Sequence, residues 1–130
     1  MVSAKAAFSG FSVDDQEKAK QFYESTLGLK LADDSMGLQF DLPGGGSVFI
    51  YPKADHQPAT YTVLNFVVDD IDAAVDDLLA SAVVFERYND MPGKQDDKGI
   101  MRGLEANQGP DIAWFKDPAG NILAVLQDSK

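Results

Sequence analysis

Few side chains in this chain could do chemistry, and their surroundings narrow what that chemistry could be. The one histidine, His56, stands between Asp55 and Gln57 in a stretch bounded by Pro52 and Pro58. Its imidazole has the right ordinary pKa for a general base, but a proline-flanked connector favours a solvated loop histidine. The other charged candidates gather late, with Lys94, Asp96, Asp97, Lys98, Arg102 and Glu105 all inside the segment 89–108. That segment has no clear periodicity, so it is expected to be either a lid over a site or a mobile solvated loop. Gly44-Gly45-Gly46 is followed by neither a lysine nor a helix, which argues against a phosphate loop, and no serine has a nucleophile-elbow context.

Composition excludes more. The absence of cysteine removes disulfides, thiolate metal sites and cysteine nucleophiles. With 11 basic against 21 acidic residues, the chain would repel nucleic acid, so no nucleic-acid partner is expected. The same excess suits a cationic ligand, or it serves solubility. No apolar run approaches the ~18 residues of a spanning helix, so no membrane partner is expected. Met1-Val2-Ser3-Ala4-Lys5 lacks the apolar core of a secretory signal, and the expected location is cytoplasmic.

The elements that must position any site come from a repeat. Phe11-Ser12-Val13-Asp14-Asp15 matches Phe66-Val67-Val68-Asp69-Asp70, and each precedes a helical pattern; the two lie 55 residues apart. The strand–turn–strand around Pro43 matches the one around Pro118, 75 residues on. The second copy therefore holds about 20 extra residues, and the segment 89–108 is where they fall. At 130 residues the chain is a single domain, with module one at about 6–52, a connector at 53–59 and module two at about 60–127.

Within module one, strands are expected at 6–13, 29–32, 37–42 and 48–51. The helix after the first strand is capped by Asp14, with Glu17 as capping-box partner, and is ended by Gly28. Module two repeats this with strands at 61–68, 83–88, 110–115 and 122–126. Its helix is capped by Asp69 or Asp70 and carries the apolar stripe Ile71, Ala74, Val75, Leu78 and Leu79.

A duplicated β-α-β-β-β unit with VDD before each helix, FYESTLGL at 22–29 and KDPAGNIL at 116–123 resembles the vicinal oxygen chelate superfamily. That group includes glyoxalase I, bleomycin-resistance proteins and extradiol dioxygenases, and the resemblance runs from about 6 to 127. It implies an α+β fold in which two tandem βαβββ modules pair into an incomplete barrel around a cleft, the glyoxalase/bleomycin resistance fold. It also implies a homodimer.

In the superfamily's metalloenzymes the first strand of each module offers a histidine or glutamine and the last strand a glutamate. Those positions fall here on Phe8, Val63, Ala124 and Phe49, which have no donor for zinc, nickel, iron or manganese. The expectation is therefore no metal and no cofactor, which puts glyoxalase I and dioxygenase activity in doubt.

Strand alternation then lists what the cleft would offer instead. Phe8, Ser12, Phe49, Tyr51, Val63, Asn65, Trp114 and Ala124 are the ligand-pocket candidates, a mainly apolar and aromatic set with few polar handles. The alternative is a filled, packed cleft. Trp114 is equivalent to Gln39 under the repeat and could stack on an aromatic or cationic ligand, or belong to a core or dimer interface. Arg87 and Tyr88 are candidates for the rim.

The function expected is the binding or sequestering of a small organic molecule. The alternative is a lyase, isomerase or dioxygenase-type enzyme that needs no metal or draws a relocated one from Glu105, His56 or Asp111.

Overall fold

The structure, a computed structural model, describes residues 1–91 and 93–130. The chain divides into two compact units, 1–58 and 59–130. No helix among the described residues is long and apolar enough to cross a membrane.

Unit one is a four-stranded sheet with one helix. Its strands are β1 (Ser9–Val13), β2 (Lys30–Asp33), β3 (Leu38–Asp41) and β4 (Ser47–Pro52), in the order β1-β4-β3-β2. β1 runs parallel to β4, and the other pairings are antiparallel. Helix α1 (Gln16–Gln21) passes into a wider π-type turn at Phe22–Thr26, closed by the Leu27 N–H on the Phe22 carbonyl. The helix cap is Asp15, which accepts from the Lys18 N–H at 3.2 Å, so the expected cap at Asp14 lies one residue early and its capping box with Glu17 does not form. Gly28, at φ 72°, turns the chain out of the helix, where only glycine adopts the backbone without strain.

The two faces of this sheet differ sharply. Phe11, Val13, Leu38, Phe40, Val48 and Ile50 alternate inward and are buried with Ala19 and Tyr23 of the helical segment. The Tyr23 ring lies 6.0 Å from Phe11 and 5.9 Å from Phe40, and burying each such side chain contributes about 1.5–3 kcal/mol.

Unit two repeats the plan. β5 (Thr62–Val67), β6 (Met101–Arg102), β7 (Asp111–Lys116) and β8 (Ile122–Gln127) stand in the order β5-β8-β7-β6, with β5 parallel to β8. Helix α2 (Ile71–Ala80) is capped by Asp70, and its Ile71 N–H donates to the Gln127 side chain of β8. Ile71 and Val75 are buried, whereas Leu79 is exposed, so the apolar stripe is narrower than its spacing suggests. The two βαβββ modules make an α+β protein of two four-stranded mixed sheets and two helices.

The sequence offsets reappear as register. Gly10 pairs with Phe49 and Ser12 with Tyr51; 55 and 75 residues on, Asn65 pairs with Ala124 and Val67 with Leu126. The turns agree as well. The Leu42 N–H donates to the Gly46 carbonyl, as the Asp117 N–H does to that of Asn121. In the second turn the Asp117 carboxylate also accepts from the Ala119 and Asn121 backbones and the Asn121 amide.

Module two departs from the plan at its edge. The expected strand at 83–88 is reduced to a single bridge, Phe85 to Phe115. Beyond Glu86 the chain leaves the sheet, because Gln95 takes over its backbone groups: the Gln95 amide accepts from the Tyr88 N–H at 2.7 Å and donates to the carbonyls of Glu86 and Gly99. β6 then returns along β7.

The described part of the segment 89–108 is therefore tied down. Arg102 donates to both Asp72 oxygens at 2.8 and 3.0 Å, and its Nε donates to Asp96 at 3.0 Å. Asp96 in turn accepts from the Lys98 and Ile100 N–H groups. Arg102 thus staples the segment to α2.

Replacing Arg102 with alanine is expected to cost about 1–2 kcal/mol, at the low end for a charge-assisted network because Asp72 is half exposed to screening solvent. The Arg102 contact holds the Asp72 carboxyl below its ordinary value of 3.8, against the opposing effect of burial. A depressed carboxylate stabilises the fold above its unfolded pKa and loses that contribution as pH falls through the folded value. Urea unfolding should show a gap between wild type and Arg102→Ala that is constant from pH 7 to about 4 and closes below. A gap that persists into stronger acid would contradict the staple.

Candidate functional site

The face of each sheet opposite its helix carries the candidate residues. In module one these are rings. Phe8 lies just before β1 and is 65% exposed, and it meets Phe49 edge-on at 6.4 Å and 78°. Phe49 and Tyr51, two residues apart on β4, stack at 5.7 Å and 22°. The backbone makes room for them. Gly10 lies under Phe49 and Tyr51, and a side chain at Gly37 would bring its Cβ to 2.7 Å from the Phe49 ring. Gln39, paired with Phe49 across β3 and β4, adds a half-buried amide beside the rings.

Ser12 stands opposite Tyr51 and supplies a polar edge. Its hydroxyl lies 2.7 Å from Nδ1 of His56. His56 is thus not the free solvated loop residue that its sequence context suggests: it is half buried and folded back onto β1. A contact spanning 44 residues leaves no local trace in sequence.

Module two is less aromatic at the matching positions. Asn65 is exposed, Val63 is half buried and Ala124 is buried, with Ala124 paired to both Asn65 and Trp114 across its two neighbours. Trp114 meets Tyr88 edge-on at 5.5 Å and 77°, so Tyr88 belongs with the indole rather than standing alone at a rim. Burial, reinforced by the charges of Glu86 and Asp90, raises the Tyr88 pKa and keeps the phenol protonated. Gly37 and Gln95 were not singled out from sequence. A glycine before a strand was the only available signal for the first, and the second had none.

A protein-family model, the Glyoxalase/Bleomycin resistance protein/Dioxygenase superfamily, matches residues 7–125. The chain belongs to this superfamily. Among solved structures it is similar to TnmS3, an antibiotic binding protein from Streptomyces sp. CB03234, at 26% identity and a TM-score of 0.70 over 99% of each chain. It is also similar to a member of the same superfamily from Sphaerobacter thermophilus, at 25% identity and a TM-score of 0.69 over 96% of this chain and 98% of that one. A glyoxalase family protein from Bacillus anthracis shares the fold at 16% identity and a TM-score of 0.71, with 98% of each chain covered. No curated protein matches the chain in sequence.

Superfamily membership raises the question of a divalent metal, and the residues answer it chemically. The positions to which the resemblance assigns donors carry two phenyl rings, an isopropyl group and a methyl group, at Phe8, Phe49, Val63 and Ala124. None has a lone pair for a cation, so a metal does not fit them. Nor do the loop donors regroup. The buried Asp111 carboxylate accepts the Leu104 N–H, and among the described residues no three His, Asp or Glu side chains gather as a metal ion requires.

Gly37→Ala tests how tightly the ring cluster is seated. A methyl group at 2.7 Å from Phe49, on a backbone with φ 129°, should displace the ring and destabilise the protein by about 1–3 kcal/mol. Near-ultraviolet circular dichroism and a urea titration would register both effects. An unchanged spectrum and an unchanged midpoint would contradict the close seat.

Proposed function

We propose that this superfamily member binds, and by binding sequesters, a small organic molecule that is partly apolar or cationic. The observation that carries this reading is the ring cluster of Phe8, Phe49 and Tyr51, two of which, Phe8 and Phe49, fall where the resemblance would put metal donors. Aromatic faces attract both flat apolar groups and cations, and Ser12 with Tyr51 supplies the few oriented polar atoms such a site needs. Module two carries its own candidates, the exposed Asn65, the half-buried Trp114 and Val63, and the buried Ala124. The acidic balance of the chain favours a positively charged ligand. The antibiotic binding described for TnmS3 supports the same direction.

The enzymatic alternative has less behind it: among the described residues no three His, Asp or Glu side chains gather as a metal ion requires. Ser12 and His56 form a close pair, with the hydroxyl 2.7 Å from Nδ1. The resemblance also carries a homodimer into this proposal, which light scattering would test.

Calorimetric titration with bleomycin, a cationic glycopeptide with flat aromatic rings, tests the reading. Saturable binding to the wild type is expected, together with a loss of roughly tenfold or more on Phe49→Ala, since one buried aromatic contact contributes about 1–3 kcal/mol. Absence of binding by this probe and by a panel of flat cations, with the fold intact, would refute it.

A further inference from the structure

One contact within unit one joins the two side-chain types that share a proton in acyl transfer. Ser12 Oγ lies 2.7 Å from Nδ1 of His56, across 44 residues of chain. That is the separation at which an imidazole takes the proton of a hydroxyl nucleophile. Both residues are half buried.

The connector that carries the imidazole is anchored to the end of the same strand. The Lys53 N–H donates to the Val13 carbonyl at 2.9 Å, one residue past Ser12, and the His56 N–H turns back onto the Lys53 carbonyl at 3.0 Å. The Lys53 and Asp55 side chains pair across that turn. Backbone bonds therefore bring His56 to β1 independently of its ring.

The surroundings of Ser12 suit an aromatic substrate. Gly10, two residues earlier on the same face of β1, is exposed and carries no side chain. Tyr51 pairs with Ser12 and leans over β1, its Cε1 3.9 Å from where a Cβ at Gly10 would stand. Phe49 stacks on Tyr51. A flat ring laid against these two would carry its substituent toward the strand that holds the hydroxyl.

We propose that Ser12 and His56 form a nucleophilic dyad that takes an acyl group from activated aryl esters. The dyad works in the neutral tautomer with its proton on Nε2, so that Nδ1 accepts from the hydroxyl. Ser12 Oγ forms the new bond to the acyl carbon while its proton passes to Nδ1. The bond to the aryloxy oxygen breaks, and the phenolate departs with that proton. Water, deprotonated by the same imidazole, then cleaves the acyl-serine to a carboxylic acid, and the proton returns to Ser12 Oγ. Water is the only co-reactant. An aryl ester suits the pair because its oxygen leaves readily, so that a base and a nucleophile are enough. Acylation of Ser12 needs no cationic ligand, so this activity stands or falls apart from sequestration.

p-Nitrophenyl acetate supplies both the ring and the good leaving group. Wild type quenched in acid during turnover should gain one acetyl group per chain by intact mass, and peptide mapping should place it on Ser12. Release of p-nitrophenolate should fall about a hundredfold in Ser12→Ala and in His56→Gln, the low end of what general-base assistance contributes. Circular dichroism and melting temperature establish that each variant folds. If Ser12→Ala does not, His56→Gln carries the comparison, and the mapped site in wild type needs no variant at all. Acetyl found on lysines, the N-terminal amine or His56 but not on Ser12 would overturn the proposal. A folded variant that keeps the wild-type rate would overturn it too.

Discussion

Parallel pairing between the first and last strand of each module is the constraint from which the rest follows. Parallel neighbours cannot be joined by a tight turn, so each module must send its chain across one face of its sheet as a helix and return through a meander. That crossover fixes which face is buried. Once α1 covers Phe11, Val48 and Ile50, strand alternation leaves Gly10, Ser12, Phe49 and Tyr51 on the other side. A slip of one residue would exchange the two sets, so the apolar core and the candidate site are specified together.

The duplication was legible because both ends of the unit carry local chemistry. An acidic pair at the helix start and a glycine-bearing turn before the last strand give fixed points, and the offsets between them survive as strand register, down to Gln39 opposite Phe49 and Trp114 opposite Ala124. What escaped was non-local. Residues 83–88 have strand-like side chains, yet their backbone is diverted after one bridge by an amide at Gln95 that nothing in their own composition announces. The charged residues of 89–108 look like a solvated loop until Arg102 is seen to meet Asp72, 30 positions earlier. The contact of His56 with Ser12 is non-local in the same way, and of the adjacent carboxylates Asp14 and Asp15, equally able to cap, only the fold selects the second.

The positions to which the resemblance would assign metal donors hold Phe8, Phe49, Val63 and Ala124, and the geometry around Phe49 accommodates rings, with glycines beneath it and a stacked tyrosine beside it. Under the proposed function such a surface would recognise shape, polarisability and positive charge. It has no means of polarising a bound oxygen as a Lewis acid would. The modules have also diverged from each other: one concentrates aromatic residues on β1 and β4, and the other places its indole on β7 against an inserted segment.

The central claim is that recognition by this protein runs through aromatic side chains without a resident cation. Elemental analysis of protein purified without chelator and then offered zinc, nickel, iron and manganese in turn tests that claim most directly. The account predicts less than a tenth of an equivalent of any of these ions retained after desalting, by the order-of-magnitude difference expected between adventitious binding and a three-ligand site. Retention of one tightly held ion per chain would contradict it.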